Sequence, residues 1–259
     1  MDLLNQLTDW QGMWQEVMEV RDIGTSRGGY PLQVVVIPKA SDKGLKKVFI
    51  NGAHHGDESI SALASMELIS FLLKMDTLDR DSLLEGFQLY IQPIVNPDGL
   101  KTGSRFDTMG IDPNRDYPYP ERPESQAFKV RSVQAVRDLM KKERFAGALT
   151  VHSGMLGVLW PWCYSHKPPP HAKSLKSIAG YVAKAMGLKY YSQSNLDYRT
   201  TGEFIDYAYM EYSIPALTLE ISRQRGGLAD PEKAYSRMIN GTIAYLEQLR
   251  VYDISSMAH

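Results

Sequence analysis

Short apolar runs alternate with longer amphipathic stretches along this chain of 259 residues. LQVVVI (32–37), KVFIN (47–51), FQLYIQPIV (87–95) and FAGALTVH (145–152) are strand-length and rich in β-branched and aromatic residues, as buried strands are. VLWPWCY (158–164) and PALTLEI (215–221) have the same character. Between them, SISALASMELISFLLKM (59–75), SQAFKVRSVQAVRDLMKKER (125–144), SLKSIAGYVAKAMGL (174–188) and PEKAYSRMINGTIAYLEQLR (231–250) carry apolar residues at three-and-four spacing. That is the period of a helix with one buried face. The alternation predicts an α/β fold, a mixed and mostly parallel β-sheet with helices on both faces. No repeat, low-complexity tract or linker interrupts it, so residues 1–259 are expected to form a single domain, with KPPP (167–170) as a surface loop. Sites in such sheets collect where strands end, and the search for chemistry starts there.

Composition narrows the function classes. Apolar residues make up 43% and charged residues 23%, with a net charge of −1. This is an ordinary globular balance, with no charge excess pointing to nucleic acid or an anionic membrane. A single cysteine, Cys163, excludes an internal disulfide and a multi-cysteine metal site. The opening MDLLNQLTDWQGMWQEVMEV has an acid at position 2 and no basic residue before Arg21, unlike a secretory signal. No apolar run approaches the roughly 20 residues that span a bilayer. A cytoplasmic location is expected.

The stretch NGAHHGDES (51–59) follows the strand 47–51 where a helix is predicted to begin. His55 and Glu58 are three apart, so one tight turn brings an imidazole and a carboxylate to the same side. Zinc accepts such ligands, and a catalytic site takes three from the protein plus water. His152, ending the run FAGALTVH, is the natural third. On spacing alone, Glu58 could equally serve the helix N-terminus, and His54 with Asp57 offers a rival pair at the same spacing.

Further segments extend the pattern in one order: PIVNPDG (93–99), GIDPNRDYP (110–118), VHS (151–153), YRTTGEFIDYAY (198–209) and LTLEI (217–221). Together with GAHHGDES they resemble the zinc carboxypeptidases related to carboxypeptidase A, from about residue 20 to the end. The resemblance implies a metallocarboxypeptidase or amidase with one zinc ion held by His55, Glu58 and His152. It gives Glu220 the role of general base and Arg105 that of oxyanion stabiliser. Asn114, Arg115 and Tyr198 would bind the free C-terminal carboxylate of a peptide substrate. Asp112 would orient His55, and Ile205 would lie at the base of the side-chain pocket. Glu203 could face a basic group in that pocket, or form a helix capping box with Thr200. His54 and Asp57 fall on positions that do not bind metal, although their closeness leaves a second ion open.

Two positions depart from the common family pattern. Asp57 stands where an arginine often helps hold the substrate upstream of the cut, and Gly154 where many relatives carry a tyrosine lining that subsite. The H-G-D-E motif is shared with the bacterial murein-peptide amidase branch, which removes diaminopimelate from γ-D-glutamyl linkages, while YRTTGEFIDYAY is nearer the general carboxypeptidase pattern. A murein peptide is the expected substrate, with ordinary C-terminal amino acids as the alternative. Two further alternatives are a zinc deacylase of N-acyl amino acids, which would share H-G-x-E and N-x-R, and an inactive peptide-binding module.

Overall fold

The computed structural model describes residues 3–39, 44–196, 198–226 and 230–252. In chain order the elements are α1 (Leu3–Met13), β1 (Glu19–Thr25), β2 (Pro31–Ile37), β3 (Lys46–Gly52), α2 (Ser59–Lys74), α3 (Thr77–Leu83), β4 (Phe87–Gln92), α4 (Pro97–Thr102), α5 (Arg131–Glu143), β5 (Gly147–His152), β6 (Met155–Trp160), α6 (Ala172–Ala185), β7 (Tyr191–Gln193), α7 (Phe204–Tyr212), β8 (Ala216–Ser222) and α8 (Pro231–Val251). The strands form one mixed sheet in the order β1-β2-β4-β3-β5-β8-β6-β7. Its centre, β4-β3-β5-β8, is parallel. Antiparallel pairs join β1 to β2, β2 to β4, and β8 to β6.

Period-two alternation along the central strands sends neighbouring side chains to opposite faces. Val35, Ile37, Val48, Ile50, Leu149, Leu217 and Leu219 lie in a core with residues of α2, α6 and α8, including Leu68, Ile178, Met238 and Leu249. Val34, Val36, Phe49, Tyr90, Ala148 and Ala216 lie in a second core with Val133 and Val136 of α5 and Phe204 and Tyr207 of α7. Burial on both faces explains why these strands read as continuous apolar runs. Each fully buried Leu or Ile contributes about 1.5–3 kcal/mol, so the strand register is held from both sides.

The topology locates the site. From β3 the chain passes through α2 to β4 on one side, and later through α5 to β5 on the other side of β3. The C-terminal ends of β3 and β5 therefore flank a switch point, where open α/β sheets form a crevice.

Several boundaries differ from the sequence expectation. β4 stops at Gln92, before Pro93. The buried Ile94 and Val95 lie in the connection to α4, where Val95 N–H donates to Gly52 O. The helix expected from 125 begins at Arg131, because Phe128 takes the left-handed conformation with φ 55°, which a helix cannot continue through. The expected strand 158–164 is β6, which starts earlier and ends before Pro161. α1, β1, α3, α4 and β7 were not anticipated. β1 is only half-buried, and β7 has three residues.

Candidate active site

The turn between β3 and α2 carries His55 and Glu58, with Glu58 at the N-cap position of α2. Gly56 lets this turn lie against α4, since a Cβ there would run into the backbone of Gly99 and Leu100. The motif's glycine is thus a packing requirement. Asn96 and Pro97 start α4, with Asn96 Oδ1 accepting from Gly99 N–H at 2.9 Å. His152 closes β5 and stands opposite Glu220 of β8 in the parallel ladder.

His55, Glu58 and His152 are buried, and one ligating atom from each lies within 4.8 Å of the others. His55 Nδ1 is 2.8 Å from Glu58 Oε1, and His152 Nδ1 is 2.9 Å from Oε2. Ser153 N–H donates to that same Oε2 at 2.9 Å. His55 Nε2 is 3.0 Å from Asp112 Oδ1, a contact that fixes the tautomer and leaves Nδ1 as the lone-pair donor. Burial opposes ionisation of Glu58, yet His152 and His55 hold its carboxyl well below the usual carboxylate range. Asp112 behaves the same way, with His55, Arg105 and Arg115 outweighing burial. Two imidazole Nδ1 atoms and an ionised carboxylate, with an acid behind one imidazole, are the donor set of a catalytic zinc site. The residues fit the metal.

His54 and Asp57 have other partners. His54 Nε2 is 2.9 Å from Tyr117 Oη and its Nδ1 is 3.3 Å from Thr150 Oγ1. Burial pushes its pKa well below the ordinary value, so the ring is neutral. Asp57 Oδ2 accepts from Arg225 Nη1 at 3.3 Å. Among the described residues, the one group able to hold a metal is His55, Glu58 and His152.

A cavity of about 340 Å³ opens over the cluster, lined among others by Arg105, Asn114, Arg115, Ser194, Tyr198, Glu203, Thr218, Glu220 and Arg225. Arg105 donates from Nε to Asp112 Oδ2 at 2.8 Å and holds Nη1 3.3 Å from His55 Nδ1. Asn114 Oδ1 accepts from Phe204 N–H at 3.0 Å, tying the 3₁₀ turn Pro113–Arg115 to the start of α7. Arg115 Nη1 lies 3.1 Å from Glu203 Oε1. Gly202, at φ 72°, sits against the Arg115 carbonyl where a Cβ would not fit. The Tyr198 side chain is exposed at the cavity mouth.

Two expectations need correction. Ile205 does not line the cavity. It is fully buried in the core with Phe204 and Tyr207, because α7 begins at Phe204 and turns position 205 inward. The capping box fails for a related reason. Glu203 is itself the N-cap residue of α7 and makes no side-chain cap. Thr200 Oγ1 instead donates to Glu203 Oε1, and Cys163 Sγ to Glu203 Oε2 at 3.3 Å. Sequence reasoning also missed Ser153, Ser194, Thr218 and Arg225 on the cavity wall. Arg225 follows the end of β8, the kind of position where strand-end sites gather, and that was its only signal.

The zinc carboxypeptidase family model matches residues 3–244, almost the whole chain. The chain belongs to the zinc carboxypeptidase family. Among similar proteins, Carboxypeptidase SOL1 of Arabidopsis thaliana is 27% identical over 172 residues, covering 62% of this chain and 34% of that protein. Carboxypeptidase B of Astacus astacus is 24% identical over 246 residues, covering 80% of each. This zinc carboxypeptidase chain thus spans about a third of the plant relative. The solved structure of thrombin activatable fibrinolysis inhibitor (TAFI) has the same fold. It aligns at TM-score 0.84 with 18% identity, over 96% of this chain and 77% of that one.

Proposed function

We propose that this protein is a zinc-dependent carboxypeptidase that removes the terminal residue of a peptide ending in a free carboxylate. The observation that carries this reading is one cavity holding the buried His55–Glu58–His152 cluster together with Glu220, Arg105 and Arg115. Zinc bound there supplies Lewis acidity and brings the pKa of a water to about 7.

The chain's own residues do the rest. Glu220 takes a proton from the attacking water and returns it to the leaving amine. Arg105 presents its guanidinium beside the cluster and stabilises the developing oxyanion, a contact worth roughly 10²–10³ in rate. Asn114 and Arg115 grip the terminal carboxylate, with the guanidinium fork matching two carboxylate oxygens. Tyr198 closes over it from the exposed mouth. Asp112 holds His55 in the ligating tautomer.

Glu203 bears on the substrate. It brings an anion into the cavity beside Arg115, the complement of a terminal residue carrying both a carboxylate and an amine. Diaminopimelate in a γ-D-glutamyl linkage has that character, and we favour a murein peptide. The competing reading, ordinary C-terminal amino acids, draws on the same contacts. Glu203 is already engaged by Arg115, Thr200 and Cys163, leaving less of its charge for a substrate.

A mass-spectrometric cleavage screen of zinc-loaded protein separates them. One pool holds L-Ala-γ-D-Glu-meso-diaminopimelate and its tetrapeptide; the other holds α-linked peptides with varied C-terminal residues. Release of diaminopimelate from the first pool alone is the expected result. Trimming only in the second establishes a general carboxypeptidase, and silence in both overturns the peptidase reading in favour of acylated amino acids or a binding module.

A further inference from the structure

Arg225 lines the cavity but belongs to neither the metal cluster nor the carboxylate grip. Its carbonyl accepts from Ser153 Oγ at 3.0 Å, and Ser153 N–H in turn donates to Glu58. The backbone at Arg225, just after β8, is thereby pinned to the flank of the cluster formed by Ser153 and Gly154. Arg115 is paired with a different acid, Glu203. Arg115, Ser153, Gly154 and Arg225 line one cavity with the cluster, so a substrate with its terminal carboxylate on Arg115 and its scissile bond at the cluster has Ser153, Gly154 and Arg225 available to its upstream part.

Gly154 helps to open that flank. With φ at 135°, it presents no side chain, and a Cβ built there would lie 3.6 Å from Arg225 Nε. The space over Gly154 is thus bordered by the guanidinium. Asp57 is the one acid bonded to that guanidinium among the described contacts, at 3.3 Å, and the Arg225 side chain is 55% exposed. Exposed pairs of this kind are weak and screened by salt, so an anion entering the cavity can compete for Arg225. A guanidinium is the side chain best shaped to take a carboxylate through two parallel hydrogen bonds.

We propose that Arg225 selects substrates carrying a carboxylate one or two residues upstream of the scissile bond. This rests on the carboxypeptidase reading of the cavity and adds a requirement on the other side of the cut. Two chemical sources can supply the carboxylate, either the free α-carboxylate of a γ-linked glutamate or the side chain of an α-linked Asp or Glu.

The test uses the zinc-loaded full chain and peptides that release the same terminal residue. Upstream they carry a γ-linked D-Glu, its α-amide, an α-linked Glu, or the matching Gln. The readout is the kcat/KM ratio of each acid to its amide, at low and high salt. The wild-type protein is expected to prefer the acid. Arg225→Ala should lower that ratio roughly twofold to fivefold, the scale of one partly exposed charged contact. Arg225→Lys should restore part of it, Arg225→Glu should invert it, and high salt should shrink it. A preference confined to the γ-linked pair identifies the α-carboxylate as the ligand; one confined to the α-linked pair identifies the side chain. Equal ratios in the wild type, or an Arg225→Ala effect equal on acid and amide, overturn the inference while leaving the carboxypeptidase reading intact. No cleavage of any peptide overturns both.

Discussion

The metal cluster and the substrate-facing wall share one cavity and are built in opposite ways. His55, Glu58 and His152 are 3–4% exposed. They hang from the ends of β3 and β5, and their polar atoms interlock with one another, with Asp112 and with Ser153 N–H. Thr218 and Glu220 reach the wall from β8, but the rest of its charged and aromatic groups are carried by loops and a helix start. Tyr198 is 60% exposed, and Arg225 reaches in from the segment after β8. The difference follows from what each part must do. A metal tolerates little error in ligand placement, so its residues sit on the stiffest part of the sheet. Substrate contacts vary with the substrate and are placed on loops, which change without disturbing the core.

This contrast can be broken at the cluster first. His152→Ala removes one of three ligands. Zinc affinity should fall by more than the roughly 10–100-fold that an outer-sphere partner costs, and turnover should be lost with it. Zinc titration against a competing chelator measures the effect, and a variant that binds zinc like the parent would dismiss the cluster as the metal site. Next in size is Glu220→Gln. It lies in β8 opposite His152, outside the ligand set, so zinc content should stay stoichiometric while kcat falls about 10²–10⁴-fold. Near-normal kcat would remove Glu220 from the base role.

The same contrast explains what could be read from the sequence. The central strands were legible because burial on both faces leaves an unbroken apolar run. His55 and Glu58 were legible in two steps: a three-residue spacing after a strand is a local geometric statement, but His54 and Asp57 share it, and only the resemblance to the zinc carboxypeptidases chose between the pairs. What required the fold was whatever depended on where a helix starts. Phe128 and Val130 are as buried as helix residues, so their apolar period extended α5 backward, and only the left-handed φ at Phe128 shows otherwise. A capping box on Thr200 would start α7 three residues before its observed start at Phe204; the later start puts Ile205 in the core and leaves Glu203 on the cavity wall, the other of its two expected places. Arg225 was invisible because its importance comes from Ser153, Gly154 and Asp57, far away in sequence and adjacent only in space.

Beneath the wall lies a group that sharpens the comparison through pH. Asp206, in α7, is fully buried and accepts from Cys163 N–H at 2.9 Å and Tyr164 N–H at 3.2 Å. Burial, with Glu203 nearby, pushes its carboxyl up from 3.8 to about 7 against those hydrogen bonds. Between those values the folded protein holds a proton that the unfolded chain has released. Stability contributed by this group is therefore greatest below pH 4 and is lost as pH rises toward 7, by on the order of 2–4 kcal/mol. Urea unfolding at a series of pH values should show this decline in the parent and a flatter profile in Asp206→Asn. Identical profiles would mean that Asp206 ionises normally and that the ground under the wall is as well solvated as the rim.

The smallest expected effect is at the rim itself. The Arg225–Asp57 pair joins side chains 55% and 25% exposed at 3.3 Å. Such pairs contribute about 0.2–1 kcal/mol and are weakened by salt. Arg225→Ala should therefore lower the urea midpoint of unfolding only slightly, and Asp57→Asn by a similar small amount. The double variant should lose less than the sum of the two, because the second change removes a partner already gone. Thermal or urea unfolding of the three variants measures this directly. The alanine variant keeps the backbone carbonyl that accepts from Ser153, so a loss of several kcal/mol from Arg225→Ala would place the Arg225 side chain itself with the structural framework. The division between a rigid metal cluster and an adaptable wall would then have to be redrawn to put the loop after β8 on the rigid side.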